Sequence, residues 1–194
     1  MEATVKKFQQ KLKRVKDDMD RWEHLHARLV SQFRNASSII GRLQLLQNPK
    51  NYGSLKNLDH IKISIFTKQT DSLQKIMLSM TKTLEELNGV VLFLAKTICD
   101  AKQQVKGGSV KQLHLRIGVK PSIADCLEGL QILQEMYQSE YRLKSLVMSA
   151  IASLALNPSV DDLQALERIL VDQPNILKEE VQSIYDVIFA EEIC

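Results

Sequence analysis

The sequence predicts an all-α protein: an elongated helical bundle with two long antiparallel heptad-patterned helices, a third long helix and two short C-terminal helices. Three observations carry this expectation. Two long stretches repeat apolar residues every three or four positions, the period of one helix face. The composition is poor in helix breakers and aromatics, with 7 Gly, 4 Pro and 5% aromatic residues in 194, whereas Leu, Lys, Gln and Glu are plentiful. Only Ile61-Lys62-Ile63-Ser64-Ile65 alternates like a strand. A lone strand has nothing to pair with, so this segment too is read as helix.

The first helix is the most strongly patterned. Val5, Phe8, Leu12, Val15, Met19, Trp22, Leu25, Leu29, Phe33, Ala36, Ile40, Leu43 and Leu46 step by three or four throughout, with Lys, Arg, Gln and Asp on the other faces. At about 1.5 Å per residue, such a helix outruns the core of a small domain and needs a partner along its length. Asn48-Pro49-Lys50-Asn51-Tyr52-Gly53-Ser54 has the residues of a turn. Apolar spacing resumes at Leu58, Ile61, Ile65 and Phe66. A second seam then runs through Leu73, Ile76, Met80, Leu84, Leu87, Val91, Leu94, Ile98, Ala101 and Val105, widened by Met77 and Phe93 as in a bundle. Residues 1–106 should therefore form a long helical hairpin.

Gly107-Gly108-Ser109 stops the second helix, and 107–120 reads as a flexible basic connector. Residues 121–194 form a C-terminal helical segment expected to pack on the hairpin, in one domain overall. Pro121-Ser122-Ile123-Ala124-Asp125 opens the third helix, with the Ser122 hydroxyl accepting from the amide near Asp125 and an acid favouring the helix N-terminus. Its stripe is Ile123, Leu127, Leu130, Leu133, Tyr137, Tyr141, Val147, Ile151 and Leu154. Asn157-Pro158 ends it, and Ser159-Val160-Asp161-Asp162 repeats the cap signature before Leu163, Leu166 and Leu170. Asp172-Gln173-Pro174 opens a last helix with Leu177, Val181, Ile184, Tyr185 and Ile188 inward.

Residues 1–120 hold 22 Lys and Arg against 10 Asp and Glu, while residues 121–194 hold 4 against 13, so a +12 half meets a −9 half within a net +3. That polarity suits either mutual attraction of the halves or two different partners. No apolar run approaches the length of a membrane span, and the N-terminus MEATVKKFQQ has no apolar signal core, so a cytoplasmic and nuclear protein is expected. Cys99, Cys126 and Cys194 are far apart and odd in number, which disfavours a disulfide framework or zinc site. Cys99 follows Ile98 on the second seam and is expected to be a small buried hydrophobe.

No catalytic, cofactor-binding or metal-binding residues are identified, and the chain is expected not to be an enzyme. Gly107-Gly108 lacks phosphate-loop spacing. His24 and His26, two apart on a helix, diverge and are read as surface or seam-edge residues. The adjacent acids Glu85-Glu86, Glu179-Glu180 and Glu191-Glu192 likewise diverge. Trp22 lies on the first seam, where core packing is the default. Tyr137 and Tyr141 are four apart on one face, so two roles stay open: core with hydroxyls at the rim, or anchors for a partner. Lys102, Lys106, Lys111, Arg116 and Lys120 form a possible basic contact, joined by Lys6, Lys7, Lys11, Lys13, Arg14, Lys16 and Arg21 on the first helix. Asp17, Asp18 and Asp20 interrupt that run, and no aromatic platform interleaves it, so direct RNA binding is left open.

Pro121-Ser122-Ile123-Ala124-Asp125-Cys126-Leu127-Glu128, followed by Tyr137, Tyr141 and Lys144, resembles the AIRIM family of helical ribosome-maturation factors. The layout, with its tryptophan in the first helix and long second helix, is similar too. Trp22-Glu23-x-Leu25 and Leu133-x-Glu135-Met136-Tyr137 more weakly resemble CINP. The resemblance implies a non-catalytic adaptor that pairs with a second small helical, CINP-like protein and docks on an AAA+ ATPase. That assembly would act on late large-subunit ribosome precursors, with Trp22, Tyr137, Tyr141 and Lys144 as partner-binding candidates. The residues alone leave two other readings: a generic coiled-coil scaffold, in which the seams support self-association, and an RNA-binding assembly factor acting through the basic half.

Overall fold

A computed structural model describes all residues except 1, 49, 54–58, 107–112, 117–119, 155–158 and 191–194. Among the described residues the chain is all-α. Its helices are α1 (Glu2–Gln47), α2 (Asp59–Gln104), α3 (Ile123–Leu154), α4 (Val160–Asp172) and α5 (Lys178–Ile188), of 46, 46, 32, 13 and 11 residues. The strand-like Ile61–Ile65 alternation lies inside α2. Gly107-Gly108-Ser109, Lys111, Asn157-Pro158, Leu58 and the Glu191-Glu192 pair fall outside the described residues.

The chain forms two compact units. The first comprises Met1–His24, Leu87–Arg142 and Pro174–Cys194; the second comprises Leu25–Glu86 and Leu143–Gln173. In the first unit α5 runs antiparallel to the start of α1: Gln9 donates to the Ile188 carbonyl at 3.0 Å, and the Lys16 ammonium lies over the Tyr185 ring. Gly129 of α3 permits close approach of α5, since a Cβ there would stand 2.8 Å from Ile184 Cγ2. In the second unit α1 and α2 run antiparallel. Arg28 Nε donates to Thr83 Oγ1 at 3.1 Å and its guanidinium pairs with Glu86, while Gln32 Nε2 donates to Ser79 Oγ at 2.8 Å.

Every first-seam residue from Val5 to Ile40 is buried, whereas Leu43 and Leu46 are only half-buried. On α2, burial begins at Met80 and continues through Leu87, Val91, Leu94, Ile98 and Ala101. The α3 stripe differs from expectation. Its buried line is Ile123, Cys126, Leu130, Leu133, Tyr137, Glu140, Lys144, Val147 and Ile151, an unbroken three-four repeat that includes two charged residues. Leu127 and Tyr141 flank it, half-buried.

The third helix starts as its cap residues dictate. Asp125 N–H donates to Ser122 Oγ at 3.1 Å, and Ser122 N–H donates back to Asp125 Oδ2 at 2.8 Å, so two otherwise orphaned amides are satisfied. Ser159 caps α4 through the Asp162 amide. Asp172 does not open the last helix; it closes α4. Gln173 adopts left-handed backbone (φ 46°) as the C-cap, and Pro174 disfavours helical backbone at the residue before it. The last helix begins at Lys178, so Leu177 is its exposed N-cap and Ile176 is buried instead. Cys99 is exposed rather than buried, and among the described residues Cys126 is the buried thiol. One residue beyond Ile98, a 100° turn of the helix carries Cys99 off the seam.

Candidate partner-docking surfaces

Four aromatic residues of the first unit, Trp22, Tyr137, Tyr185 and Phe189, pack as two ring pairs. Trp22 and Tyr137 meet edge to face, ring centroids 5.1 Å apart at 85°, the arrangement that ring quadrupoles favour. Tyr185 stacks on Phe189 at 6.1 Å and carries the Lys16 ammonium 5.7 Å from its centroid. Tyr137 and Tyr185 line a cleft of about 400 Å³ together with Lys16, Asp20, Glu23 and Lys178. Burial, with the nearby carboxylates, pushes both phenols above their ordinary pKa; Glu23 acts most on Tyr137 and Asp20 on Tyr185. Both stay protonated. Glu140, fully buried, accepts from the backbone and side-chain nitrogens of Asn175 at 3.2 and 3.1 Å and so holds the turn between α4 and α5.

In the second unit Lys144 is fully buried. Its Nζ lies 3.1 Å from His26 Nδ1 and 3.5 Å from the Leu170 carbonyl, tying α3 to α1 and α4. His26 is therefore part of the core. Its signal was the i, i+4 ladder Trp22, His26, Val30, which widens the first seam; reading only the nearest three-four steps passes over it. Among the described residues no group of three His, Cys, Asp or Glu is placed to hold a metal.

The partner candidates are thus placed unequally. Trp22 and Tyr137 are brought together, Lys144 joins His26, all three are enclosed by their own chain, and Tyr141 is half-buried. The basic candidates are not one patch of equivalent cations. Lys102 and Lys106 are exposed, Lys111 lies outside the described residues, and Lys120 is half-buried. Arg116 is engaged with Asp125 at 3.0 Å. On α1, Lys11 and Arg14 face Lys96, Phe93 and Asp100 of α2 around a shallow cleft, a cationic surface no single stretch of sequence displays.

The largest departure from a closed core lies at the α1–α2 turn in the second unit. From Gly41 to Ser79 no described side chain is buried. Leu45, Ile63, Phe66 and Leu78 are 61, 67, 40 and 58% exposed. Local hydrogen bonds shape the turn around the end of α1. Tyr52 Oη donates to the Leu46 carbonyl at 2.9 Å, Asn51 Nδ2 to the Leu45 carbonyl at 2.7 Å, and Lys50 N–H to Asn48 Oδ1 at 3.0 Å. The first two bonds satisfy carbonyls that the helix end leaves open. Lys62 sits 5.7 Å from the Tyr52 centroid. The result is a groove of about 300 Å³ floored by Leu46, Tyr52, Ile63 and Phe66, with Lys62 at its edge.

The profile of a family described as CA109-like, ribosome biogenesis protein C1orf109-like, matches residues 2–193. No curated protein matches the chain significantly.

Proposed function

The chain belongs to the C1orf109-like family of ribosome biogenesis proteins, and from that premise we propose that it is a non-catalytic adaptor joining an AAA+ ATPase to late large-subunit ribosome precursors. AIRIM is the C1orf109 name, so the resemblance borne by Pro121–Glu128 and the two tyrosines pointed to this family. In this reading a second small helical protein, similar to CINP, shares the assembly, which works in the nucleus and cytoplasm. The observation that carries it is the uncovered end of the hairpin. Both seams continue past the enclosed part of the second unit, leaving Leu43, Leu46, Leu73 and Ile76 half-buried beside exposed Leu45, Ile63 and Leu78. Apolar surface of this kind marks a protein-binding face. Trp22 and Tyr137 pack together within the first unit, where Tyr141 is a separate partner contact, and Lys144 holds α1 against α3 and α4 in the unit that presents the surface. Lys102, Lys106, Lys111 and Lys120 supply a secondary contact with the precursor.

The test is quantitative mass spectrometry of proteins co-purified with the tagged full chain from its native cell. An AAA+ ATPase, a small helical protein and large-subunit precursor proteins are the expected set. Recovery of none of them under gentle salt overturns the adaptor role. A stable homodimer without ATPase favours the scaffold reading.

A further inference from the structure

We propose that the groove at the α1–α2 turn seats an acidic amphipathic helix supplied by a different protein. The inference deepens the adaptor reading, on which it rests for the premise that this face meets a protein. The floor of Leu46, Tyr52, Ile63 and Phe66 offers apolar contact, which the i, i+3, i+4 residues of a partner helix can occupy. The groove is pre-shaped, because Tyr52 is held by the Leu46 carbonyl and by Lys62. Little ordering is then lost on binding.

Charge selects the occupant. Between residues 42 and 79 the described side chains include Arg42, Lys50, Lys62, Lys68 and Lys75 against Asp71 as the one acid. Lys62 edges the groove itself, and Arg42 lies one turn before Leu46 on the same face of α1. A helix with Glu or Asp beside its apolar stripe is attracted, and a basic one is repelled. The same argument disfavours a second copy of this chain. A two-fold contact brings identical surfaces together, and here both would be cationic.

The experiment uses the purified full chain and two labelled synthetic peptides followed by fluorescence anisotropy. Both carry one leucine stripe at helical spacing; one has Glu along the flanks, the other Lys. The Glu peptide is expected to bind saturably, at least ten-fold tighter than the Lys peptide and more weakly as salt rises. Phe66→Asp should weaken it at least ten-fold with unchanged circular dichroism and melting temperature, since Phe66 is not a core residue. Ile63→Ser provides a second, milder apolar variant. Arg42→Glu with Lys62→Glu should reverse the peptide preference.

Equal binding of both peptides, or binding of neither, overturns the proposal. So does a concentration-dependent homodimer abolished by Phe66→Asp, which would assign the groove to a second copy. Single-stranded RNA that binds more tightly than the Glu peptide and is lost with Lys62→Glu would assign it to nucleic acid instead. The two readings separate cleanly: failed peptide binding with intact ATPase co-purification removes only the groove assignment. Peptide binding as expected, with no ATPase recovered, removes only the adaptor role.

Discussion

Glu140 and Lys144 stand where a three-four helix stripe ordinarily carries apolar residues, and both are fully buried. Charged groups enter a core only with partners. Asn175 serves Glu140, and His26 with the Leu170 carbonyl serves Lys144. Lys144→Ala would remove side-chain packing and the 3.1 Å contact to His26. Truncating a fully buried long side chain to Ala costs about 2–5 kcal/mol, so a fall of that size is expected in urea unfolding. A change under 0.5 kcal/mol would show that the contact contributes nothing. Asp125 gives a pH-dependent test. Burial alone would raise its pKa, but the Ser122 backbone and side-chain hydrogen bonds and the Arg116 charge outweigh burial and hold it below the ordinary 3.8. A carboxylate with a lowered folded pKa contributes stability above its unfolded value and loses it as pH falls through the folded one. Asp125→Asn should therefore melt below the wild type at pH 7, with the gap closing below pH 3.8. A gap that stays constant down to pH 2.5 would dismiss the charged cap.

At the scale of the helices, two glycines separate local propensity from packing. Gly89 lies inside α2 with nothing within 4 Å of an added Cβ, whereas Gly129 on α3 meets Ile184 of α5 at 2.8 Å. Gly89→Ala should stabilise by about 0.5–1 kcal/mol, the helix-propensity gain in open space. Gly129→Leu should destabilise by about 1–3 kcal/mol as α5 is forced away. Chemical denaturation of both variants decides it; equal effects would mean that α5 does not rest on that position. The same contrast governs what was legible. Helix identity and the caps at Ser122 and Ser159 follow from neighbours a few residues away, so they were readable. Asp172 resembles a cap residue that opens α5, and only the left-handed backbone of Gln173 shows that it terminates α4 instead.

Across the whole molecule, hydrophobic spacing runs further than enclosure. Surface substitutions at Leu45 and Leu78 should leave folding stability within about 0.5 kcal/mol, because neither side chain is buried. If the proposed adaptor role holds, Leu45→Ser with Leu78→Ser should nonetheless reduce recovery of the proposed ATPase and precursor partners in co-purification. Full recovery would place the docking face elsewhere. The positive balance of residues 1–120 has a local counterpart in this region, where Arg42, Lys50, Lys62, Lys68 and Lys75 surround the uncovered apolar positions. That combination makes binding sensitive to both apolar substitution and salt.

Periodicity and local motifs alone establish that the protein is helical, where its long seams run, how two helices are capped, and which family it resembles. Each follows from periodicity, from contacts within a turn or two, or from a contiguous motif. Packing between distant segments sets which seam positions are enclosed, places Glu140, Lys144 and His26 in the core, and turns Cys99 outward. Those outcomes depend on residues far apart in the chain, His26 and Lys144 above all, separated by 118 positions. A heptad marks a face as apolar, but whether that face is covered depends on which other helices reach it.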